Sequence, residues 1–101
     1  MTQLNLPDGW TPVSCDAGMR LAQNLASELG PQHVLAGVTA IGVARRQDCD
    51  DVLFRLDGHR CAYALVHLTW QKWRRGSNPK FPGTVLCERE EDLVALLENE
   101  A

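Results

Sequence analysis

Two apolar runs joined by a polar turn do most to narrow what this chain can become. Val52-Leu53-Phe54-Arg55-Leu56 and Cys61-Ala62-Tyr63-Ala64-Leu65-Val66-His67-Leu68-Thr69-Trp70 flank Asp57-Gly58-His59-Arg60. An Asp-Gly pair between such runs is a strong hairpin signal. Chemistry suggests a register. With Leu56 opposite Cys61, Asp57 meets Arg60, Phe54 meets Tyr63, Val52 meets Leu65 and Asp50 falls opposite His67. The charge pair and the aromatic pair are each worth about 0.2–1 kcal/mol. That register places Phe54, Tyr63 and Leu65 together in the core.

The other face is then expected to carry Leu53, Ala62, Ala64, Val66, Leu68 and Trp70, with only Arg55 clearly polar. A sheet wetted on one side alternates more cleanly than this. Either helices cover both faces, or the second apolar face meets another chain, for which a homodimer is the simplest case.

The flanking segments supply the helices. Ser14 or Asp16 can cap a helix running to about Leu29, with an apolar stripe of Gly18, Leu21, Ala22, Leu25, Ala26 and Leu29. Gly30-Pro31 ends it, the glycine suiting a left-handed cap and the proline barring continuation. Residues 34–46 are rich in Val, Ile and Thr and read as a first strand, in which Gly37 and Gly42 suggest a bend, a bulge or close packing on a helix. Thr84 to Cys87 reads as a short edge strand, and Glu88 to Asn99 as a helix with an acidic first turn and an apolar stripe of Leu93, Val94, Leu96 and Leu97. Residues 1–13 hold Pro7, Asp8-Gly9 and Pro12 and are expected to form an arm pinned by Trp10. The expected fold is therefore α+β: one domain over 1–101, with a three- or four-stranded antiparallel meander between an N-terminal and a C-terminal helix.

Composition supports a self-sufficient core. Of the 101 residues, 45% are hydrophobic and 23% charged, so no disulfide or metal is needed to fold. No run is long enough for a membrane span, and the first residues lack the basic and apolar regions of a signal peptide. Cys15, Cys49, Cys61 and Cys87 show no paired-ligand spacing and read as free thiols of a cytoplasmic protein.

Net charge is −3 but uneven. Residues 88–101 hold six acids against Arg89, whereas Trp70 to Phe81 holds Lys72, Arg74, Arg75 and Lys80 with no acid. That second segment lies in a long loop, 70–83, broken by Gly76, Pro79, Pro82 and Gly83. Trp70, Lys72, Trp73, Arg74, Arg75, Lys80 and Phe81 are thus the candidate partner-binding residues. Tryptophan and arginine dominate protein hot spots, and the same mixture can stack on bases and neutralise phosphate. The structural alternative has Trp70 and Phe81 plugging the edge of the core.

Two further constellations bear on chemistry. Asp48, Asp50 and Asp51, with His67 across the hairpin, could hold a hard cation or form a carboxylate–histidine base. The competing reading is a solvated turn and a satisfied histidine. Cys49, His59, Cys61 and Cys87 could be drawn together around zinc, but their spacing matches no ligand motif. Cys15 sits at a helix start, where thiols are acidified. No cofactor and no metal are expected.

Ala44-Arg45-Arg46, Cys49-Asp50-Asp51-Val52-Leu53-Phe54, Tyr63-Ala64-Leu65-Val66-His67-Leu68-Thr69-Trp70 and Phe81-Pro82-Gly83-Thr84 resemble a pattern in small bacterial proteins of unassigned function. The likeness spans about residues 33–85. It implies a bacterial origin and assigns no residue a role. The functional expectation is a non-enzymatic protein-binding domain of the inhibitor, immunity-type or adaptor kind. The alternatives are RNA or single-stranded DNA binding through the same loop, and a metal-assisted hydrolase built on the acidic turn and His67.

Overall fold

The computed structural model describes Leu6 and residues 9–46, 50–76 and 82–99. The chain is α+β, with a five-stranded antiparallel meander and a helix near each end. In chain order the elements are β1 (Trp10–Pro12), α1 (Cys15–Glu28), β2 (Thr39–Arg46), β3 (Asp51–Asp57), β4 (Tyr63–His67), β5 (Gly83–Cys87) and α2 (Leu93–Asn99). A 3-10 turn, Glu90–Asp92, precedes α2 and carries the acids expected in a helical first turn. The sheet order follows the sequence, leaving β1 and β5 at the edges.

The strand that the sequence did not suggest is β1. Part of the expected arm pairs with β2, Trp10 opposite Arg46 and Pro12 opposite Ala44, and Trp10 is buried as anticipated. Proline at the end of an edge strand costs no ladder hydrogen bond on the solvent side. The segment from Val34 to Val38 is a run of turns, so β2 starts at Thr39. Buried His33 holds those turns to the sheet edge. Its Nδ1 accepts from the Leu35 backbone amide at 3.0 Å, which leaves Nε2–H to donate to the Pro82 carbonyl at 2.8 Å.

Ser14 caps α1, its Oγ accepting from the Ala17 amide at 3.2 Å. Leu21 and Leu25 face the sheet, Ala26 is exposed, and the helix lies close enough to β2 that Gly18 touches Gly42. Beside this contact β2 bulges: Gly42 is opposite Phe54, but Ala44 is opposite Leu53. Both readings of Gly42, bulge and close approach, therefore hold.

The hairpin register departs from expectation by one residue. Phe54 is opposite Ala64, Arg55 opposite Tyr63, and Asp51 rather than Asp50 opposite His67. Phe54 and Tyr63 consequently lie on opposite faces. The connection closes with the Leu56 amide donating to the Ala62 carbonyl at 2.8 Å, while His59 Nδ1 accepts from the Cys61 amide at 3.0 Å. This register seats the Phe54 ring between two small neighbours, Gly42 and Ala64, beneath α1. Filling two faces outweighs the roughly 0.4–2 kcal/mol that the two lost cross-strand pairs offered.

Two cores result, one on each side of the sheet. Leu21, Leu25 and Leu35 cover Val52, Phe54, Leu56, Ala64 and Val66 on one side. Trp10, Leu93 and Leu97 cover Ala44, Leu53, Tyr63 and Leu65 on the other. The residues expected on a second apolar face are divided between these cores, Ala64, Val66 and Leu68 on the α1 side and Leu53 and Ala62 on the α2 side, so the surface expected for a homodimer is covered within the chain.

Candidate functional site

The Trp70–Arg75 segment is positioned by a carboxylate that sequence inspection passes over. β4 ends at His67, three residues before the expected end of that strand. Leu68 stays buried, its amide donating to the Asp50 carbonyl at 3.1 Å, and the chain then leaves the sheet. At that point it meets Glu28, in the last turn of α1 and only 3% exposed. Glu28 Oε1 accepts from the Thr69 amide at 2.8 Å and from the Thr69 hydroxyl at 2.6 Å. Its Oε2 accepts from the Trp70 amide at 3.1 Å and from Asn24 Nδ2 at 2.7 Å. A buried carboxylate is tolerated when its lone pairs are filled in this way.

One further anchor lies downstream. The Trp73 amide donates to the Ser27 carbonyl at 2.8 Å, and the Trp73 indole lies against Gly30 so closely that any side chain there would overlap it. Gly30 is therefore explained by this approach and not by the expected left-handed cap. α1 ends at Leu29 in extended conformation, φ −81 and ψ 124.

Between these anchors Trp70 takes φ 60, the left-handed region, where a bulky residue is a genuine outlier. Trp70 is 49% exposed and Trp73 38%, so Trp70 does not plug the core. Lys72, Arg74 and Arg75 are exposed alongside them. Five of the seven expected partner-binding residues are thus brought together in one surface segment at the end of α1. Lys80 and Phe81 lie outside the described residues. The missed residue, Glu28, left a signal: it follows Leu21 and Leu25 on the apolar stripe, where an acid must find partners once buried.

The acidic candidates are less concentrated. Asp51 Oδ1 is 2.7 Å from His67 Nδ1, and the histidine is largely exposed. The Asp50 side chain is exposed as well, and Asp48 lies outside the described residues. Among the described residues no group of three His, Cys, Asp or Glu side chains could hold a metal ion. The sketched zinc set fares no better, since the ring of His59 is committed to the hairpin turn and Cys49 is not among the described residues. Cys15 is exposed, Cys61 and Cys87 are buried, and all three are free thiols.

Burial raises the Cys87 thiol pKa above its ordinary 9.0. Burial also raises the Tyr63 pKa above 10.0, helped by the charge of Glu90, to whose Oε1 the tyrosine hydroxyl donates at 3.3 Å. Both groups belong to the core under α2. No described helix is long and apolar enough to cross a membrane. No family model, curated protein or solved structure matches this chain.

Proposed function

We propose that this chain is a small protein-binding domain, of the inhibitor, immunity-type or adaptor kind, that engages its partner through Trp70–Arg75. One observation carries the reading: Trp70 is held half exposed and in a left-handed conformation, by backbone hydrogen bonding to a buried carboxylate. Left-handed backbone costs an L-residue about 1–2 kcal/mol, and strained, exposed aromatics concentrate where a surface is used. A loop serving only to connect β4 to β5 gains nothing from that arrangement. The free thiols support a reducing compartment such as the cytoplasm.

Trp70→Gly tests the reading, because it removes the indole while relieving the backbone. Stability should stay within about 1 kcal/mol of the parent, the relieved strain offsetting the added chain entropy of glycine. Capture from source-cell extract, compared between parent and variant, should lose its specific protein in the variant. An unchanged captured set would end this reading. If the captured species is RNA or single-stranded DNA, released steeply by salt, the nucleic-acid alternative replaces it.

A further inference from the structure

The charge distribution suggests what the Trp70–Arg75 surface can meet. Residues 70–76 carry Lys72, Arg74 and Arg75 and no acid. Among the described residues neither Lys72 nor Arg75 has an ion-pair partner. The most acidic stretch is the turn leading into α2, where Glu88, Glu90, Glu91 and Asp92 face solvent. Glu91 is tied only loosely, 3.6 Å from Arg89 on the surface, and Glu88 and Asp92 have no ion-pair partner among the described residues. Val94, half-buried just beyond the acids, adds apolar surface beside them.

These two patches cannot reach each other within one molecule. The acidic turn adjoins the Tyr63 end of β4, through the Ala62 amide on the Glu88 carbonyl and the Tyr63 hydroxyl on Glu90. The basic segment leaves beyond the His67 end of the same strand. The turn also leads into the helix covering one face, whereas the segment is docked on the helix covering the other. The patches therefore occupy opposite ends and opposite faces of the sheet.

We infer that copies of this chain associate head to tail, the Glu88–Asp92 turn of one seating against Trp70–Arg75 of the next. This rests on the reading of Trp70–Arg75 as a protein-binding surface and names a second copy as an occupant. The contact is heterologous, so it propagates and does not close as a twofold dimer. Opposite charges set its orientation and speed, and the exposed indole supplies apolar contact.

Sedimentation equilibrium on the intact chain tests this. Average mass should rise with protein concentration at low salt. The apparent dissociation constant should weaken at least about tenfold between roughly 0.01 and 1 M salt, as the screening length falls from about 30 to about 3 Å. The double variant Lys72→Glu with Arg75→Glu should be monomeric, and so should Glu88→Lys with Glu91→Lys. Mixing the two should restore association, because the unaltered turn of the first meets the unaltered segment of the second. Circular dichroism of each variant establishes that the fold is kept. A parent that stays monomeric, variants that still associate, or a mixture without association would each overturn the inference. If the parent is monomeric yet Trp70→Gly still loses its captured protein, only the second copy is ruled out as occupant.

Discussion

Glu28 stabilises the Trp70–Arg75 segment through geometry and charge together. Three of its four accepted hydrogen bonds join α1 to residues 69 and 70, far away in sequence, and the fourth comes from Asn24 of the same helix. Glu28→Gln keeps the size but replaces one acceptor oxygen with a donor, leaving two of these donors facing an NH2 group. The expected loss is about 2–3 kcal/mol, since hydrogen bonds to a charged group are worth about 1.5–3 kcal/mol and orphaned buried donors add a desolvation penalty. Urea unfolding followed by circular dichroism would measure it, and a loss below about 0.5 kcal/mol would mean the carboxylate is not what holds the segment. The strain at Trp70 persists only while such contacts over-determine the loop, so the same variant should also shift tryptophan fluorescence.

At the scale of elements, α1 is set against β2 by the absence of side chains. A methyl group at Gly18 would overlap the Gly42 carbonyl oxygen, which is backbone and cannot swing aside. Helix propensity alone predicts that Gly18→Ala stabilises α1 by about 0.8–1 kcal/mol. The packing argument predicts the opposite sign, a net loss of about 1–3 kcal/mol, because overpacking forces the helix off the sheet. Chemical denaturation distinguishes them by sign alone. At Gly30 the obstacle is the Trp73 indole on an exposed segment, so there the ring moves before the helix does. The two glycines thus fix different things: one the seating of a helix, the other the seating of a tryptophan.

At the scale of the whole molecule, the sheet is covered on both sides, and the layer under α2 holds two weak acids whose neutral forms it prefers. Tyr63 and Cys87 both have folded pKa values raised by burial above their ordinary 10.0 and 9.0. The unfolded chain therefore releases these protons first as pH rises. The stability they contribute is complete below about pH 9 and is lost progressively above it. Unfolding free energy should decline from neutral pH toward pH 11, and Tyr63→Phe should make the decline shallower. An equally steep decline in the variant would assign the effect elsewhere.

Much of this architecture was legible in the linear pattern. The Ser14 cap, the stripe of α1, the Val52–Leu56 strand, the β5 edge strand and the exposed Trp-Arg segment all follow from neighbours within a turn or two. Those signals are local, because helix and strand periods of 3.6 and 2 residues are properties of the backbone itself. Three features were decided only by the tertiary structure: the faces taken by Phe54 and Tyr63, the pairing of β1 with β2, and the partners of Glu28. A hairpin connection longer by one residue reverses the parity of every opposing side chain, and local pairs worth roughly 0.4–2 kcal/mol together cannot outweigh the filling of two cores. A buried acid on an apolar stripe shows that something must come to meet it, but what arrives lies 41 and 42 residues away and is brought there only by the fold.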